Sequence, residues 1–206
     1  MAKELDKISK VVKNREAKIL GSEKFFKSAV FLPLIEKNGE VHVLFEVRAK
    51  HMRRQPGEIC FPGGKVDLAD KDEQSAAIRE TCEELGVTKD QIKPLASLDY
   101  VVTSFRSMIY PFVGVIEADA QLSLNQAEVH EVFTVPLQFF IEKPPDCHTI
   151  ELHIKPEETF PFHLIPNGED YKWSRGSFDE YFYHYENYVI WGLTARILHH
   201  FVEVIT

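Results

Sequence analysis

Glu80, Glu83 and Glu84 place three carboxylates within five residues, with Arg79 as the only cation among them. At about 100° per residue on a helix the three share one arc. There, like charges three and four apart repel by roughly 0.2–0.5 kcal/mol per pair. Solvated helix faces usually mix signs, and here a single cation, Arg79 four residues before Glu83, stands against three acids. The pattern therefore lacks a counter-charge, and a divalent cation such as Mg²⁺ or Mn²⁺, which prefers hard oxygen ligands, is the natural one. Such an ion polarises phosphoryl oxygens, screens a diphosphate and activates water. Gly63 and Gly64, just upstream, let the backbone approach an ion or phosphate closely. The plainer alternative is an amphipathic helix that turns its acids to solvent.

The elements that must position these residues are legible in part. Asp72 suits an N-cap, Glu73 a first turn and Gly86 the left-handed position beyond the end, which predicts a helix over roughly 73–85. Ile78, Cys82 and Leu85 point away from the acids, toward a core. Arg79 can hold one carboxylate through a charge-assisted hydrogen bond. Residues 3–20 read as a polar amphipathic helix. Strands are expected at 28–36 and 41–48, joined by an Asn38-Gly39 hairpin turn, and at 95–102, 109–116 and 132–136. A turn of helix follows at 137–141. The proline-rich stretch 142–170 reads as extended strands and long loops. Residues 188–204 read as an amphipathic helix with Ile190, Leu193, Ile197, Phe201 and Val204 inward. The stripe Tyr181, Tyr183, Tyr185 and Tyr188 before it suits a core or a dimer face. Strands interleaved with helices predict an α/β sandwich, a mixed β-sheet between helical layers.

The segment RETCEELGV, from Arg79 to Val87, resembles the second half of a Nudix box, with Thr81 in an aliphatic place. In the first half the sixth residue after Gly64 is Asp70 where the box has Glu, and the run to Arg79 is one residue longer. Upstream, LFEVRAKHMRRQPGEICFPGGKV (44–66) resembles the signature of the coenzyme A diphosphatase branch of Nudix hydrolases. Arg48, Ala49, Arg53, Gly57 and Phe61-Pro62-Gly63-Gly64 take its places, while Phe45 and Glu46 depart from the usual Leu-Thr. YENYVIWGLTARIL (185–198) resembles the tail of that branch. The resemblance implies a Nudix-type α/β/α sandwich spanning 1–206 as a single domain, with the box at 64–87. It implies cleavage of coenzyme A to adenosine 3′,5′-bisphosphate and 4′-phosphopantetheine, with Mg²⁺ or Mn²⁺ on Glu80, Glu84, Glu83 and the carbonyl of Gly63. Glu83, Glu84 and Arg79 would serve catalysis.

The loop QAEVHEVFTVPL (126–137) resembles the place where Nudix proteins put another acid. Glu128 and Glu131 are the candidates for metal ligand or general base, with Glu128 favoured. Arg48, Lys50, Arg53 and Arg54 form a basic cluster, and Arg48 and Arg53 suit clamps on substrate phosphates. Phe105 and Arg106, in a turn between strands, are candidates for the mouth of the site, although Phe105 suits packing equally well. Rival readings are ADP-ribose or another nucleoside diphosphate derivative as substrate, and a non-catalytic nucleotide sensor.

With 206 residues, 44% hydrophobic and 27% charged, the composition suits an ordinary globular protein. A net charge of -8 argues against a nucleic-acid partner. Cys60, Cys82 and Cys147 have neither disulfide-framework nor zinc spacing. The charged start and the ending EVIT resemble neither a signal peptide, a membrane span nor a peroxisomal address, so a cytoplasmic location is expected. Nudix proteins often pair, which leaves a homodimer open.

Overall fold

Alternation on β1 (Phe26–Lys37) divides the molecule into two layers. Ala29 and Phe31 fall on one face of it, and Val30 and Leu32 on the other. The computed structural model describes residues 2–206. A helix, α1 (Ala2–Val12), comes first. After β1 come β2 (Glu40–Arg48), β3 (Ile59–Cys60), β4 (Gly63–Lys65) and α2 (Glu73–Leu85). Next are β5 (Ile92–Ser97), β6 (Val101–Val102), β7 (Ser107–Ile116), β8 (Val129–Pro136) and α3 (Leu137–Glu142). The chain ends with β9 (Asp146–Leu152), β10 (Gly176–Tyr185), β11 (Tyr188–Trp191) and α4 (Gly192–Ile205).

The main sheet runs β3-β2-β1-β7-β5, with β4 on β1, β6 on β7 and β8 on β2. It is mixed, since β1 and β7 are parallel and the other pairs antiparallel. Asn38 and Gly39 both take positive φ, the geometry of a two-residue hairpin turn that matches strand twist, and Lys37 pairs with Glu40. On one face, α2 packs Ala76, Ala77, Ile78 and Leu85 against Ala29, Phe31 and Leu44. On the other, α4 and the small sheet β11-β10-β9 cover Leu32, Val43, Phe45 and Val135. This is an α/β/α sandwich.

Several expected boundaries move. The first helix stops at Val12 instead of running to 20, because its surroundings give it nothing to pack on: residues 3–20 are exposed. Short helices without a packed face are marginal in water. The expected strand 95–102 divides into β5 and β6, with a register shift between Pro94 and Ala96. The last helix begins at Gly192, since residues 188–191 form β11. Ile190 is therefore buried on a strand, while Leu193 and Val204 face solvent and Ala195, Leu198 and Val202 line the core instead. The tyrosine stripe is the inward row of β10: Tyr181, Tyr183 and Tyr185 sit at alternate positions against the core of that layer.

Candidate active site

Asp72 caps α2 by accepting from the Ser75 N–H at 2.8 Å, and Gly86 ends it with positive φ and an N–H donated to Cys82 O. A Cβ on Gly86 would run into the Ser123 carbonyl. That contact matters because residues 123–125 strap the end of the helix. Ser123 N–H donates to Leu85 O at 2.8 Å, and Asn125 N–H to Glu84 O at 2.9 Å. The strap then leads to Glu128, whose own carbonyl accepts from Ala49 N–H at 2.7 Å. Helix, strap and β2 are thus tied at one end of the sheet.

The three box acids do not converge on one point. Glu84 turns inward, 2% exposed, and accepts from the Gly63 N–H at 2.8 Å. Glu80 lies against Gly64, where any Cβ would collide with its carboxylate. Glu83 stays at the surface, 3.4 Å from Arg79 Nη1. Among the described residues, no three His, Cys, Asp or Glu side chains stand together as a ready-made grip on an ion. The mutual repulsion expected from the sequence is relieved by separate partners, Gly63 for one acid and Arg79 for the others. Glu84 is accordingly not part of an acid face turned to solvent.

Asp70 acquires a definite role. Its two oxygens accept from Arg79 Nε at 2.9 Å and Nη2 at 3.0 Å, while Nη1 donates to Glu80 at 2.9 Å and Nη2 also to Lys65 O. The guanidinium is a planar fork whose donors are spent on fixing the loop to the helix. The Arg79 hydrogen bond, with help from the Asp67 N–H, holds the Asp70 carboxyl below its ordinary value. Burial pushes Glu80 and Glu84 the other way, and Glu84 also feels the charge of Glu46.

A cleft of about 520 Å³ opens on the other side of the Gly63-Gly64 pair, whose backbone separates it from Glu80 and Glu84. Arg48, Arg54 and Lys65 line it with Gly63 and Gly64, and Phe26, Trp191 and Leu193 form apolar wall. Trp191 is braced by stacking on Phe182 at 5.9 Å, and Thr194 Oγ1 donates to Ile59 O at 3.1 Å, joining α4 to β3 across it. Arg53 is exposed and outside this lining, whereas Arg54 is inside. Phe105 (86% exposed) and Arg106 sit at the tip between β6 and β7 and do not line the cleft. The charges of Glu128 and Glu80 act on both Glu46 and Glu84, so Glu128 belongs with the acid group. Glu131 lies beside Tyr188, whose hydroxyl is pushed up by burial and then by that carboxylate.

Glu46, Cys60 and Trp191 were not reached from sequence. Period two along β2 holds the missing signal for Glu46: Leu44, Glu46 and Arg48 share a face, and a candidate clamp at Arg48 carries Glu46 with it.

A mixed sheet between helical layers, with an acidic helix closing on a glycine pair, is the architecture of a Nudix-type sandwich. The chain belongs to the Nudix family: residues 25–151, more than half of its length, match the NUDIX domain. It is 38% identical over 122 residues to the peroxisomal coenzyme A diphosphatase NUDT7 of Mus musculus, covering 59% of this chain and 50% of that one. The chain thus spans half the length of the mouse protein. It is 30% identical over 174 residues to the uncharacterized Nudix hydrolase NudL of Enterobacter sp. (strain 638), covering 83% and 78%. Among solved structures, a C. elegans Ap4A hydrolase binary complex aligns with a TM-score of 0.47 at 21% identity, over 56% of this chain and 83% of that one.

Proposed function

We propose that the chain is a divalent-metal-dependent hydrolase of the diphosphate bond in coenzyme A or a derivative of it. The observation that carries this reading is the cleft itself. Its floor is the Gly63-Gly64 pair pressed against Glu84 and Glu80, and its rim holds Arg48, Arg54 and Lys65. Acid behind the floor, and three cations on a rim that also carries Glu58 and Glu180, would suit a diphosphate bound together with a divalent cation. The apolar wall at Phe26, Trp191 and Leu193 suits the uncharged portions of such a ligand. The likeness to a protein named a coenzyme A diphosphatase supports that substrate.

The donor chemistry supports a hard cation such as Mg²⁺ or Mn²⁺: carboxylates are hard ligands, and Glu80 and Glu84 are held behind the floor without enough positive charge to neutralise them. Glu80 and Glu84 would hold the metal, with Glu83 and the Gly63 carbonyl as further donors. When bound, the metal supplies charge neutralisation at phosphorus and an acidified water. Arg79, locked by Asp70, keeps Glu80 in place. Arg48 and Arg54 orient the phosphates, and Glu128 at the end of its strap is the base that accepts the proton of the attacking water. Catalysis is then chiefly positioning and electrostatics. The products from coenzyme A are adenosine 3′,5′-bisphosphate and 4′-phosphopantetheine.

The test is a panel of coenzyme A, acylated coenzyme A and ADP-ribose with Mg²⁺ or Mn²⁺, read by mass spectrometry. Coenzyme A should be cleaved preferentially, and Glu84→Gln should lower turnover by at least about a hundredfold with the fold intact. Preference for ADP-ribose would overturn the substrate, and no cleavage of any of them would favour a nucleotide-sensing module.

A further inference from the structure

Among the described residues two glutamates are buried, Glu84 and Glu46, and neither forms an ion pair. Glu46 is 1% exposed. Its Oε1 accepts from the Cys60 thiol at 3.1 Å, and its Oε2 has no partner at all. Burying a carboxylate with an unmet oxygen is costly unless something pairs with it. The position is no accident of a disordered surface, since Glu46 pairs with Cys60 of β3 on one side and Val132 of β8 on the other.

The face on which Glu46 lies follows from strand alternation. Val43, Phe45 and Val47 point to one side of β2; Leu44, Glu46 and Arg48 point to the other. Leu44 packs in the layer of α2, so Glu46 is directed to the side that carries Glu80 and Glu84. Cys60, its cross-strand neighbour, and Arg48, two residues on, both line the cleft. Of the charges acting on Glu84, that of Glu46 is the largest. Arg48 does not resolve the problem: it makes no ion pair with Glu46, and its own Nε is buried without a partner.

We propose that Glu46 is a further divalent-cation ligand behind the Gly63-Gly64 floor of this cleft, its unmet Oε2 offered to a cation that Glu84 would also help to hold. The inference rests on the metal-dependent reading of the site and adds to it a ligand from the sheet, outside the box. It accounts for an acid that departs from the Thr of the resembled branch. The charge of Arg48 reaches Glu46 only from beyond ion-pair distance, so a cation held by the two buried carboxylates would supply a contact counter-charge that neither has and occupy the unmet oxygen. Cys60, donating to Oε1, fixes the carboxylate so that Oε2 is the free end.

The test is Mn²⁺ binding without substrate, followed by calorimetry and by electron paramagnetic resonance, on the wild type, Glu46→Gln and Glu84→Gln. Glu46→Gln should lose one bound ion or at least about tenfold in affinity. Its metal-free melting temperature should equal or exceed that of the wild type, while the rise on adding Mn²⁺ shrinks. Should Glu46→Gln fold poorly, Glu46→Thr enters the same titration. An unchanged isotherm and an unchanged rise would overturn the role of Glu46 and leave the hydrolase reading standing. A wild type that binds no Mn²⁺ would overturn both.

Discussion

Asp70 shows how a substitution in a motif can be compensated by geometry. It is one carbon shorter than the glutamate of the box and precedes a run to Arg79 that is one residue longer, yet both oxygens meet Arg79, at 2.9 and 3.0 Å. The Asp67 N–H pins the same carboxylate at 2.8 Å. Arg79 in turn fixes Glu80, so Asp70 is a positioning residue that acts through two others. Asp70→Asn keeps the shape but replaces one acceptor by a donor facing the guanidinium. Removing such an outer partner typically costs 10- to 100-fold, so kcat/KM should fall by roughly 10- to 100-fold. Far-ultraviolet circular dichroism and the unfolding midpoint should change little. Wild-type kinetics from this variant would show that Arg79 does not need the anchor.

At the scale of elements, the glycine strand β4 and α2 are built as a matched pair. Gly64 has no room for a methyl group because the Glu80 carboxylate occupies that space. Gly64→Ala should therefore displace Glu80, lower activity by about tenfold or more and weaken Mn²⁺ binding. The cost to stability should be smaller, about 1–3 kcal/mol by analogy with overpacked sites, read by urea denaturation. Full activity would mean that Glu80 is free to move without consequence. The helix, its cap and the first hairpin were legible in sequence because each depends on local chemistry: Asp72 on Ser75, Gly86 on its left-handed φ, Asn38-Gly39 on two positive φ values. The opposite wall of the cleft was not legible. Tyr181, Tyr183 and Tyr185 alternate as a strand should, but Tyr188 to Trp191 also fit the period of the helix that follows. Only pairing with β10, a tertiary fact, makes that segment a strand. The acids of the box were found by type and spacing, whereas their orientations depend on Gly63 and Arg79, which local pattern does not encode.

For the whole molecule, the acid group makes stability depend on pH in a direction that can be worked out. Without metal, burial raises Glu46 from 4.5 to about 7, and burial with the charge of Glu46 raises Glu84 from 4.5 to about 9. A carboxyl whose folded value is raised contributes stability that is complete below its unfolded value and lost as pH climbs through the folded one. Asp70 and Asp72, held low by hydrogen bonds from Arg79 and Ser75, contribute oppositely: their share is present above 3.8 and lost as pH falls. The metal-free protein should therefore be most stable near pH 4.5 and lose stability from there to about pH 9. A tenfold difference in proton affinity between folded and unfolded chain corresponds to about 1.4 kcal/mol, and each kcal/mol moves the midpoint of a chain of this size by roughly 2–4 °C. A fall of at least about 5 °C over that range is expected in EDTA. Mn²⁺ should flatten or reverse the slope, since ligands that bind metal must give up their protons. The net charge of -8 also grows with pH and repels itself, but that effect is spread over the surface and is screened by salt. Repeating the series in about 0.5 M NaCl, where the screening length is only a few ångströms, with Glu84→Gln alongside separates the two. The variant should lose most of the slope and the wild type should keep it; a wild-type midpoint that stays level in EDTA would mean the buried acids are already neutralised by something within the fold.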